Sequence, residues 1–356
     1  MTAGLRLRLT TDSDDDRPVF VAGNFNQWLP DEARFRLQRI GHMTYEFQFP
    51  ADFWFPQPLE YKYTRGSWAD AELAADGKTP ANRISKRVTG HRRDHVPHWR
   101  WQGEPFDTRL YPNIHVSPDE FWLPSLGRHR RFRVLLPADY DQFPERRYPV
   151  LYLMDGQNLM GGGVGFGDWG LERRLAILKA RGRGDLIVVA LDHGEVFRKS
   201  EFNPYNHRWL GPGEGRAFVQ ALTDTIKPYL DRTYRTNPER EATGIGGSSL
   251  GGLLSLYAGL STWRTFGRVL VFSPSLWVSS RIFGEAERLP DSAQSRFYLY
   301  GGGKEGMQLK PALQRLEGIF AARPGAQSKL AYDARGRHQE EFWGQEFPKA
   351  VEWLFF

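Results

Sequence analysis

Residues 247–251 read Gly-Ser-Ser-Leu-Gly and stand between a β-like run and an apolar helical run. A serine between two glycines in this strand-turn-helix context is the pattern of a nucleophile elbow. The glycines are required because side chains two residues on either side of the serine would collide with the strand and the helix. The spacing therefore predicts that Ser249 is a nucleophile. A glycine-rich helix entry with a capping serine is the competing interpretation.

A serine hydroxyl is a weak nucleophile at neutral pH, so Ser249 needs a base that is itself held by a third group. When a serine occupies such an elbow, the acid and then the histidine follow it in the chain. His338, within Gly-Arg-His-Gln-Glu at 336–340, is the sole histidine after Ser249. We therefore expect His338 to be the general base, and a surface-loop histidine is the alternative.

The acid that holds the histidine should follow the strand before the last one, which reads Arg-Phe-Tyr-Leu-Tyr at 296–300. Glu305 lies at that position and is the acid we expect. Asp333, at the end of the final strand, is the second choice. Glu340 is a weaker third choice, because it is too close to His338 in sequence to orient the ring easily.

Acyl transfer also requires backbone N–H donors for the oxyanion of the tetrahedral intermediate. One is expected from Leu250, the residue after the nucleophile, and one from the loop after an earlier central strand. That loop contains Asp155 and Gln157, and the N–H of Gln157 is the donor we expect. Because Asp155 precedes Ser249 in the chain, we interpret it as a residue that ties the loop together rather than as the catalytic acid.

Strands that alternate with helices must position these residues. In residues 119–356, β-like runs such as 148–153 alternate with helical runs such as 214–234. This alternation predicts a mostly parallel sheet covered on both faces and, with the elbow, an α/β-hydrolase fold. Residues 1–97 alternate apolar and polar positions in short runs, which predicts a small immunoglobulin-like β-sandwich. Residues 98–118 follow neither period and are predicted to be a linker.

The composition is that of an ordinary globular chain. Of the 356 residues, 40% are hydrophobic and 25% are charged, which excludes wholesale disorder, and the length favours two domains. The absence of cysteine excludes disulfides, thiolate metal sites and cysteine nucleophiles. The net charge is +6, but the arginines are dispersed, so nucleic acid is not expected as a partner.

Membrane and export signals are missing from the sequence as written. No apolar run approaches the roughly 18 residues of a membrane span, so no membrane partner is expected. The first residues contain no apolar segment typical of a leader. We therefore expect a cytoplasmic location, or a secreted or periplasmic one if a signal peptide has been removed.

Residues 119–356 resemble the putative esterase family, which includes esterase D, enterochelin esterases, the feruloyl and acetylxylan esterases of carbohydrate esterase family 1, and the mycolyltransferases. The matching segments include Tyr-Pro-Val-Leu-Tyr-Leu-Met-Asp-Gly-Gln-Asn, Gly-Gly-Ser-Ser-Leu-Gly-Gly, Phe-Ser-Pro-Ser-Leu-Trp and Gly-Arg-His-Gln-Glu-Glu-Phe-Trp.

This resemblance implies roles for eight residues. It implies a triad of Ser249, Glu305 and His338 and an oxyanion hole at Leu250 and Gln157, in agreement with the arguments from spacing. It further implies that three side chains line the acyl pocket, namely Trp277, Trp169 and Arg198. Core packing is the alternative for the aromatic residues among them.

The first domain resembles the starch- and glycogen-binding modules of carbohydrate-binding module families 20 and 48, through Phe-Val-Ala-Gly-Asn-Phe-Asn-Gln-Trp and Leu-Glu-Tyr-Lys-Tyr-Thr-Arg-Gly-Ser-Trp. In such modules exposed tryptophan rings stack on the apolar C–H faces of sugars. The resemblance implies glycan binding by Trp28 and Trp68, with Lys62 and Asn82 as polar neighbours. A rigid structural cap is the alternative role.

These observations predict a serine carboxylic-ester hydrolase that works through an acyl-enzyme and needs no metal ion or organic cofactor. Feruloyl or acetyl esters of carbohydrates are favoured as substrates by the sugar-module resemblance. Siderophore trilactone esters are the alternative, favoured by the basic charge and by Arg128, Arg130 and Arg131. The expected partner is a small-molecule or oligosaccharide ester, with polysaccharide as a further partner of the first domain. A non-catalytic glycan-binding protein is the alternative from another class.

Overall fold

The computed structural model describes residues 4–12, 17–86, 88–100, 108–117, 121–161, 163 and 167–356. The chain divides into two compact units, Met1–Arg109 and Leu110–Phe356. Across the described ranges, no helix has the length and apolar character required to cross a bilayer.

The first unit is built from short strands. They are β1 (Leu5–Thr11), β2 (Phe20–Gly23), β3 (Gln38–Gly41), β4 (Thr44–Gln48), β5 (Leu59–Thr64), β6 (Glu72–Leu73), β7 (Arg83–Ser85), β8 (Gly90–Val96) and β9 (His98–Trp99). The strands pair in the orders β3-β4-β1-β8, β2-β5-β7 and β6-β9. β1 is antiparallel to β4 and parallel to β8.

A period of two explains the core of this unit. Leu5, Leu7 and Leu9 on β1 are fully buried, whereas Arg6 and Arg8 between them retain contact with solvent. Successive side chains of a strand point to opposite faces, so the alternation of leucine and arginine buries one face only. The prediction of a small all-β domain at this end of the chain is confirmed.

The second unit contains one large sheet and a small ribbon. Its strands are β10 (Asn113–Val116), β11 (Trp122–Leu123), β12 (Arg128–His129), β13 (Phe132–Leu136), β14 (Val150–Leu153), β15 (Ile187–Leu191), β16 (Thr243–Ser248), β17 (Arg268–Phe272), β18 (Ser295–Gly302) and β19 (Ala326–Asp333). The large sheet has the order β10-β13-β15-β14-β16-β17-β18-β19, and β11 pairs with β12. β13 is antiparallel to its two neighbours, and the remaining pairs in the large sheet are parallel.

Helices connect these strands. They are α1 (Leu171–Ala180), α2 (Arg198–Glu201), α3 (Gly215–Ala221), α4 (Lys227–Thr233), α5 (Leu250–Ser261), α6 (Arg281–Glu287), α7 (Leu309–Ala321) and α8 (Glu340–Phe355). A π-helical segment, Leu222–Ile226, joins α3 to α4, so the single long helix predicted for this region contains a local change of helical pitch.

The two faces of the large sheet have separate cores. Val150 and Tyr152 of β14 belong to one apolar cluster, whereas Leu151 and Leu153 belong to the other. α5 packs into the first cluster, and α1 and α8 pack into the second. Helices on both faces of a mainly parallel sheet confirm the predicted α/β-hydrolase fold.

The region predicted as a linker, residues 98–118, contains regular structure. β10 lies within it and forms the antiparallel edge strand of the large sheet, paired with β13. All four of its residues are exposed, Ile114 and Val116 included. Apolar and polar residues do alternate in this strand, but over four residues only, which is the shortest run that indicates a strand, and the prediction of a linker missed it.

Candidate active site

Ser249 occupies a sharp turn between β16 and α5. Its backbone has φ 57° and ψ −121°, a conformation that residues other than glycine rarely adopt. Its N–H donates to the carbonyl of Phe272 at 3.0 Å, which ties the turn to the end of β17. A Cβ at position 247 would lie 2.9 Å from the backbone of Gly251, so glycine is required at Gly247. The strand-turn-helix predicted around Ser249 is present.

His338 and Glu305 have the geometry expected of a base and the acid that orients it. His338 Nδ1 and Glu305 Oε2 are 2.7 Å apart. The carboxyl side chain is 1% exposed and the imidazole side chain is 49% exposed. The carboxyl group is therefore fixed inside the domain, while the ring reaches the surface, and within the described ranges of the chain no hydrogen bond engages Nε2.

The other oxygen of Glu305 is held by groups that sequence reasoning missed. The N–H of Gly302 and the hydroxyl of Ser273 donate to Glu305 Oε1 at 2.6 and 2.7 Å. Trp343 Nε1 donates to Ser273 Oγ at 2.8 Å. The Trp343 ring also lies edge-to-face against His338, with 4.9 Å between the ring centroids. Ser273 directly follows β17, and this place at the carboxyl end of a central strand was the available signal.

The two other candidates for the acid are engaged elsewhere. Asp333 Oδ1 accepts a hydrogen bond from the N–H of Arg335 at 2.9 Å. Glu340 Oε1 accepts one from Asn158 Nδ2 at 3.3 Å. Neither contact involves His338, so the geometry favours Glu305 over both.

The fold brings Ser249 and His338 to the same edge of the sheet. β16, β17, β18 and β19 are consecutive parallel neighbours, so the residues that follow them lie along one edge. Ser249 Oγ is 3.4 Å from Ser275 Oγ, and in the described part of the chain no hydrogen bond links it to His338. Catalytic hydrogen bonds are often long before substrate binds and shorten in the complex.

Leu250 and Gln157, the expected oxyanion donors, lie at this edge as well. Leu250 begins α5, and the N–H groups of a first helical turn have no partners within the helix. Gln157 lies in a 3-10 turn, Gly156–Asn158, after β14, and β14 is parallel to β16. The side chain of Gln157 exchanges two hydrogen bonds with the backbone of His193, at 3.0 and 2.9 Å. The role of both N–H groups stays a prediction.

Asp155 and Arg198 form a two-pronged ion pair beside this turn. Arg198 Nε and Nη2 donate to the two carboxylate oxygens of Asp155 at 2.6 and 2.8 Å. The Asp155 side chain is 7% exposed, and a buried carboxylate requires a paired charge. Asp155 therefore does tie the loop together. Arg198, which we expected to line the acyl pocket, instead directs its guanidinium at Asp155.

Comparison with known proteins identifies the family. Residues 124–354 match the family described as putative esterase. The chain belongs to the putative esterase family. It is therefore a carboxylic ester hydrolase, and the resemblance drawn from its motifs is confirmed.

Two curated relatives share about a quarter of their aligned residues with this esterase. The uncharacterized protein YbbA of Bacillus subtilis is 23% identical over 255 residues, which is 65% of this chain and 96% of that protein. An endo-1,4-beta-xylanase/feruloyl esterase of Xylanibacter ruminicola is 24% identical over 154 residues, which is 41% of this chain but 20% of that protein.

Two solved structures share the fold of the esterase. The enterobactin esterase FES from Shigella flexneri, in the presence of enterobactin, has a TM-score of 0.56 at 16% identity, covering 96% of this chain and 91% of that one. A ferulic acid esterase has a TM-score of 0.53 at 17% identity, covering 69% of this chain and 98% of that one.

A group of aromatic rings includes Trp277, which is close in sequence to Ser275, the residue whose hydroxyl lies 3.4 Å from Ser249 Oγ. Trp277 follows Ser275 by two residues and is 64% exposed. The His207 ring lies edge-to-face against the Trp277 ring, with 5.6 Å between the ring centroids. It also lies edge-to-face against the Trp209 ring, with 5.8 Å between the centroids. We call Trp277, His207 and Trp209 the aromatic rim. The structure thus adds two residues to the one that the sequence analysis expected there.

Trp169 has a different environment from the one we expected. It is 2% exposed and stacks on Phe272, with 5.5 Å between ring centroids. Trp343 and Phe347 of α8 contact the same ring. Trp169 is therefore part of the core beneath the histidine loop and does not line an open pocket.

A cavity of about 460 Å³ adjoins Gln157, and Arg128 and Arg130 are among the residues that line it. Both guanidinium groups are paired within the protein. Arg130 contacts Glu201 at 2.7 Å, and Arg128 contacts Glu201 at 3.1 Å and Glu214 at 3.0 Å. Two of the three arginines that the sequence analysis singled out therefore have their charge balanced by glutamates of the protein, and the third, Arg131, lines the same cavity.

Trp28 and Trp68 of the first unit pack on one another. Their ring centroids are 6.1 Å apart and the rings are inclined at 48°. Trp68 Nε1 donates to the carbonyl of Trp28 at 3.1 Å. Lys62 and Asn82 are engaged in hydrogen bonds within the same unit. Two inclined rings do not form one flat platform, and glycan binding by these four residues stays a prediction.

Proposed function

We propose that this esterase hydrolyses its substrate through an acyl-enzyme on Ser249. The observation that carries the proposal is the 2.7 Å contact between His338 Nδ1 and Glu305 Oε2. This contact lies at the same edge of the sheet as the turn that holds Ser249. Ser249 Oγ attacks the ester carbonyl carbon, and His338 Nε2 takes the hydroxyl proton. Glu305 keeps the other ring proton on Nδ1 and stabilises the imidazolium that forms.

The same groups complete the reaction. The N–H groups of Leu250 and Gln157 stabilise the negative oxygen of the tetrahedral intermediate. As this intermediate collapses, the bond to the alcohol oxygen breaks and His338 gives that oxygen its proton. Water then attacks the acyl-enzyme, with His338 taking the proton of water and returning it to Ser249 as the carboxylic acid leaves.

Esters of aromatic acids, and feruloyl esters of carbohydrates first among them, are the substrates that we propose. The aromatic rim supports this choice, because it offers ring faces and edges to a planar acyl group. Trp277 lies two residues after Ser275 in the sequence, and the Ser275 hydroxyl is 3.4 Å from Ser249 Oγ. The names of the Xylanibacter ruminicola relative and of the ferulic acid esterase agree with this class.

Siderophore trilactones are the second candidate. The observation in their favour is that the fold similarity to the enterobactin esterase covers 96% of this chain, against 69% for the ferulic acid esterase. The internal pairing of Arg128 and Arg130 with Glu201 and Glu214 speaks against an anionic chelate.

Initial rates on four esters test the proposal: p-nitrophenyl acetate, methyl ferulate, an acetylated xylan oligomer and a ferric tricatecholate trilactone. Ser249→Ala should reduce kcat by at least about three orders of magnitude on whichever ester the wild type cleaves. Ser248→Ala, at the buried neighbouring serine, is the matched control and should keep most of the rate. Wild-type protein that is inert toward all four esters would refute the mechanism.

The aromatic rim is tested with the same panel. Trp277→Ala should raise KM for methyl ferulate about fivefold, because one ring contact contributes about 1 kcal/mol. KM for p-nitrophenyl acetate should change less than about twofold, since an acetyl group is too small to span the rim. Equal effects on both esters would contradict an aromatic acyl site.

A further inference from the structure

Glu340 is a buried carboxyl group beside the catalytic loops, and the proposed mechanism does not use it. It begins α8, two residues after His338, and is 8% exposed. Asn158 Nδ2 donates to Glu340 Oε1 at 3.3 Å, across 182 positions of sequence. Asn158 directly follows Gln157, the proposed oxyanion donor. One hydrogen bond therefore joins the loop that carries the base to the turn that carries the donor.

Burial and the charged groups around Glu340 set the pKa of its carboxyl group. Asp155, Arg198 and His338 are the charged or titratable groups that act on it within the described residues. Burial, reinforced by the negative charge of Asp155, raises the pKa of Glu340 to about 7, against the opposing effect of His338 and Arg198. Arg198 gives two hydrogen bonds to Asp155, so its guanidinium is already engaged.

We propose that Glu340 is a positioning residue for ester hydrolysis, whose carboxylate holds Asn158 and thereby keeps the N–H of Gln157 aimed at the developing oxyanion. The inference rests on the proposed function, because it needs the Gln157 donor and the His338 base. The ionised form is the active one, because a carboxylate accepts a stronger hydrogen bond from Asn158 than a neutral carboxyl group does.

A double-mutant cycle tests whether Glu340 acts through Asn158. Glu340→Ala and Asn158→Ala should each lower kcat about tenfold with KM within about twofold, because complete loss of an oxyanion donor costs about 10²–10³ and displacement costs less. The kcat of the double variant should also be about tenfold lower than that of wild type, since the two substitutions remove the same contact. An additive loss of about a hundredfold would overturn the proposal.

The pH profile of Glu340→Gln gives a readout that a purely structural role would not move. Glutamine mimics the protonated carboxyl group, so the ratio of wild-type to variant kcat should rise from about one at pH 5.5 to about fivefold at pH 8.5. A constant ratio would overturn the proposal. Glu341→Gln is the matched control, because Glu341 accepts from Gln345 Nε2 at 2.9 Å on the same helix, and its ratio should stay flat.

Hydrogen exchange separates failure of this inference from failure of the proposed function. Amides of residues 154–160 should exchange at least about fivefold faster in Glu340→Ala and Asn158→Ala than in wild type, whether or not any ester is cleaved. Faster exchange in a protein inert toward all esters would refute the hydrolytic mechanism while supporting the link between the loops. Unchanged exchange in both variants would overturn the role of Glu340 whatever the activity.

Discussion

Glu305→Gln should disable the esterase even though it keeps the shape of the side chain. Glu305 Oε1 accepts hydrogen bonds from Gly302 and Ser273, whereas Oε2 accepts one from His338 Nδ1. A glutamine must place its oxygen on one side and its NH₂ group on the other. The side with two donors takes the oxygen, so the NH₂ group faces His338. Nδ1 must then accept a hydrogen bond, and the ring proton moves to Nε2, the atom needed to accept the Ser249 proton.

The size of the effect follows from these contacts. The reverse orientation of the amide would place NH₂ against the N–H of Gly302, which can only donate, at a cost of about 1–3 kcal/mol, and would require the Ser273 hydroxyl to turn and accept. At least about 1 kcal/mol therefore disfavours the orientation that permits the active tautomer, which corresponds to a loss of about fivefold. The upper limit is the loss of about 10⁴ in kcat expected when a triad is held entirely in the wrong tautomer. We expect kcat for Glu305→Gln to fall between these limits.

The assay is kcat toward the best ester of the panel at pH 8, with thermal unfolding as the check on folding. Glu305→Gln should be no more active than Glu305→Ala, in which no side chain enforces a tautomer. Glu317→Gln, the same chemical change on α7, is the matched control and should keep the wild-type rate. A folded Glu305→Gln protein with more than about a third of the wild-type kcat would refute the tautomer argument.

Two further predictions concern stability. Arg198→Ala should lower the free energy of unfolding by about 3 kcal/mol, because it leaves the buried carboxylate of Asp155 without its partner. Chemical denaturation measures this difference, with the exposed Lys199→Ala as the control. Equal stability of the two variants would contradict the prediction. Since the pKa of Glu340 is raised from 4.5 to about 7, the folded state binds this proton more tightly and its stability falls as pH rises through that range. The unfolding free energy of Glu340→Gln relative to that of wild type should therefore increase as pH rises from about 4.5 to 7, by up to about 3 kcal/mol in total. A difference in unfolding free energy that does not change with pH would refute this prediction.

Sequence reasoning recovers the second unit well where burial imposes a pattern. All five residues of β15, Ile187–Leu191, are buried, and the run of apolar letters that results is the signal of a central parallel strand. The edge strand β10 is missed because its alternation of polar and apolar residues covers only four positions, none of which is buried. The π-helical segment after α3 is missed because its letters continue the helical pattern, and the change lies in the backbone hydrogen bonds alone.

The residues of the candidate site also fall into those that the sequence could predict and those that it could not. Ser249, Glu305 and His338 could be predicted from the sequence because the order of elements places each of them after a particular strand, and their joint action in catalysis stays a prediction. Ser273, Trp343 and Asn158 were not found, because their hydrogen bonds join residues far apart in the chain and no local motif records such pairs. Trp169 was misplaced because a tryptophan in a loop reads the same whether its ring faces a ligand or the core.

The structure weakens one of the two sequence arguments about the substrate. The net charge of +6 and the arginines at 128, 130 and 131 were the argument for the alternative substrate, an anionic ligand. In the fold the guanidinium groups of Arg128 and Arg130 form ion pairs with Glu201 and Glu214, which balance their charge within the protein. Trp277 and Trp209 of the aromatic rim are 64% and 81% exposed. A ligand that covers such large exposed rings gains free energy from the apolar surface removed from water, so under the proposed function we expect substrate selection to depend on aromatic contact more than on charge.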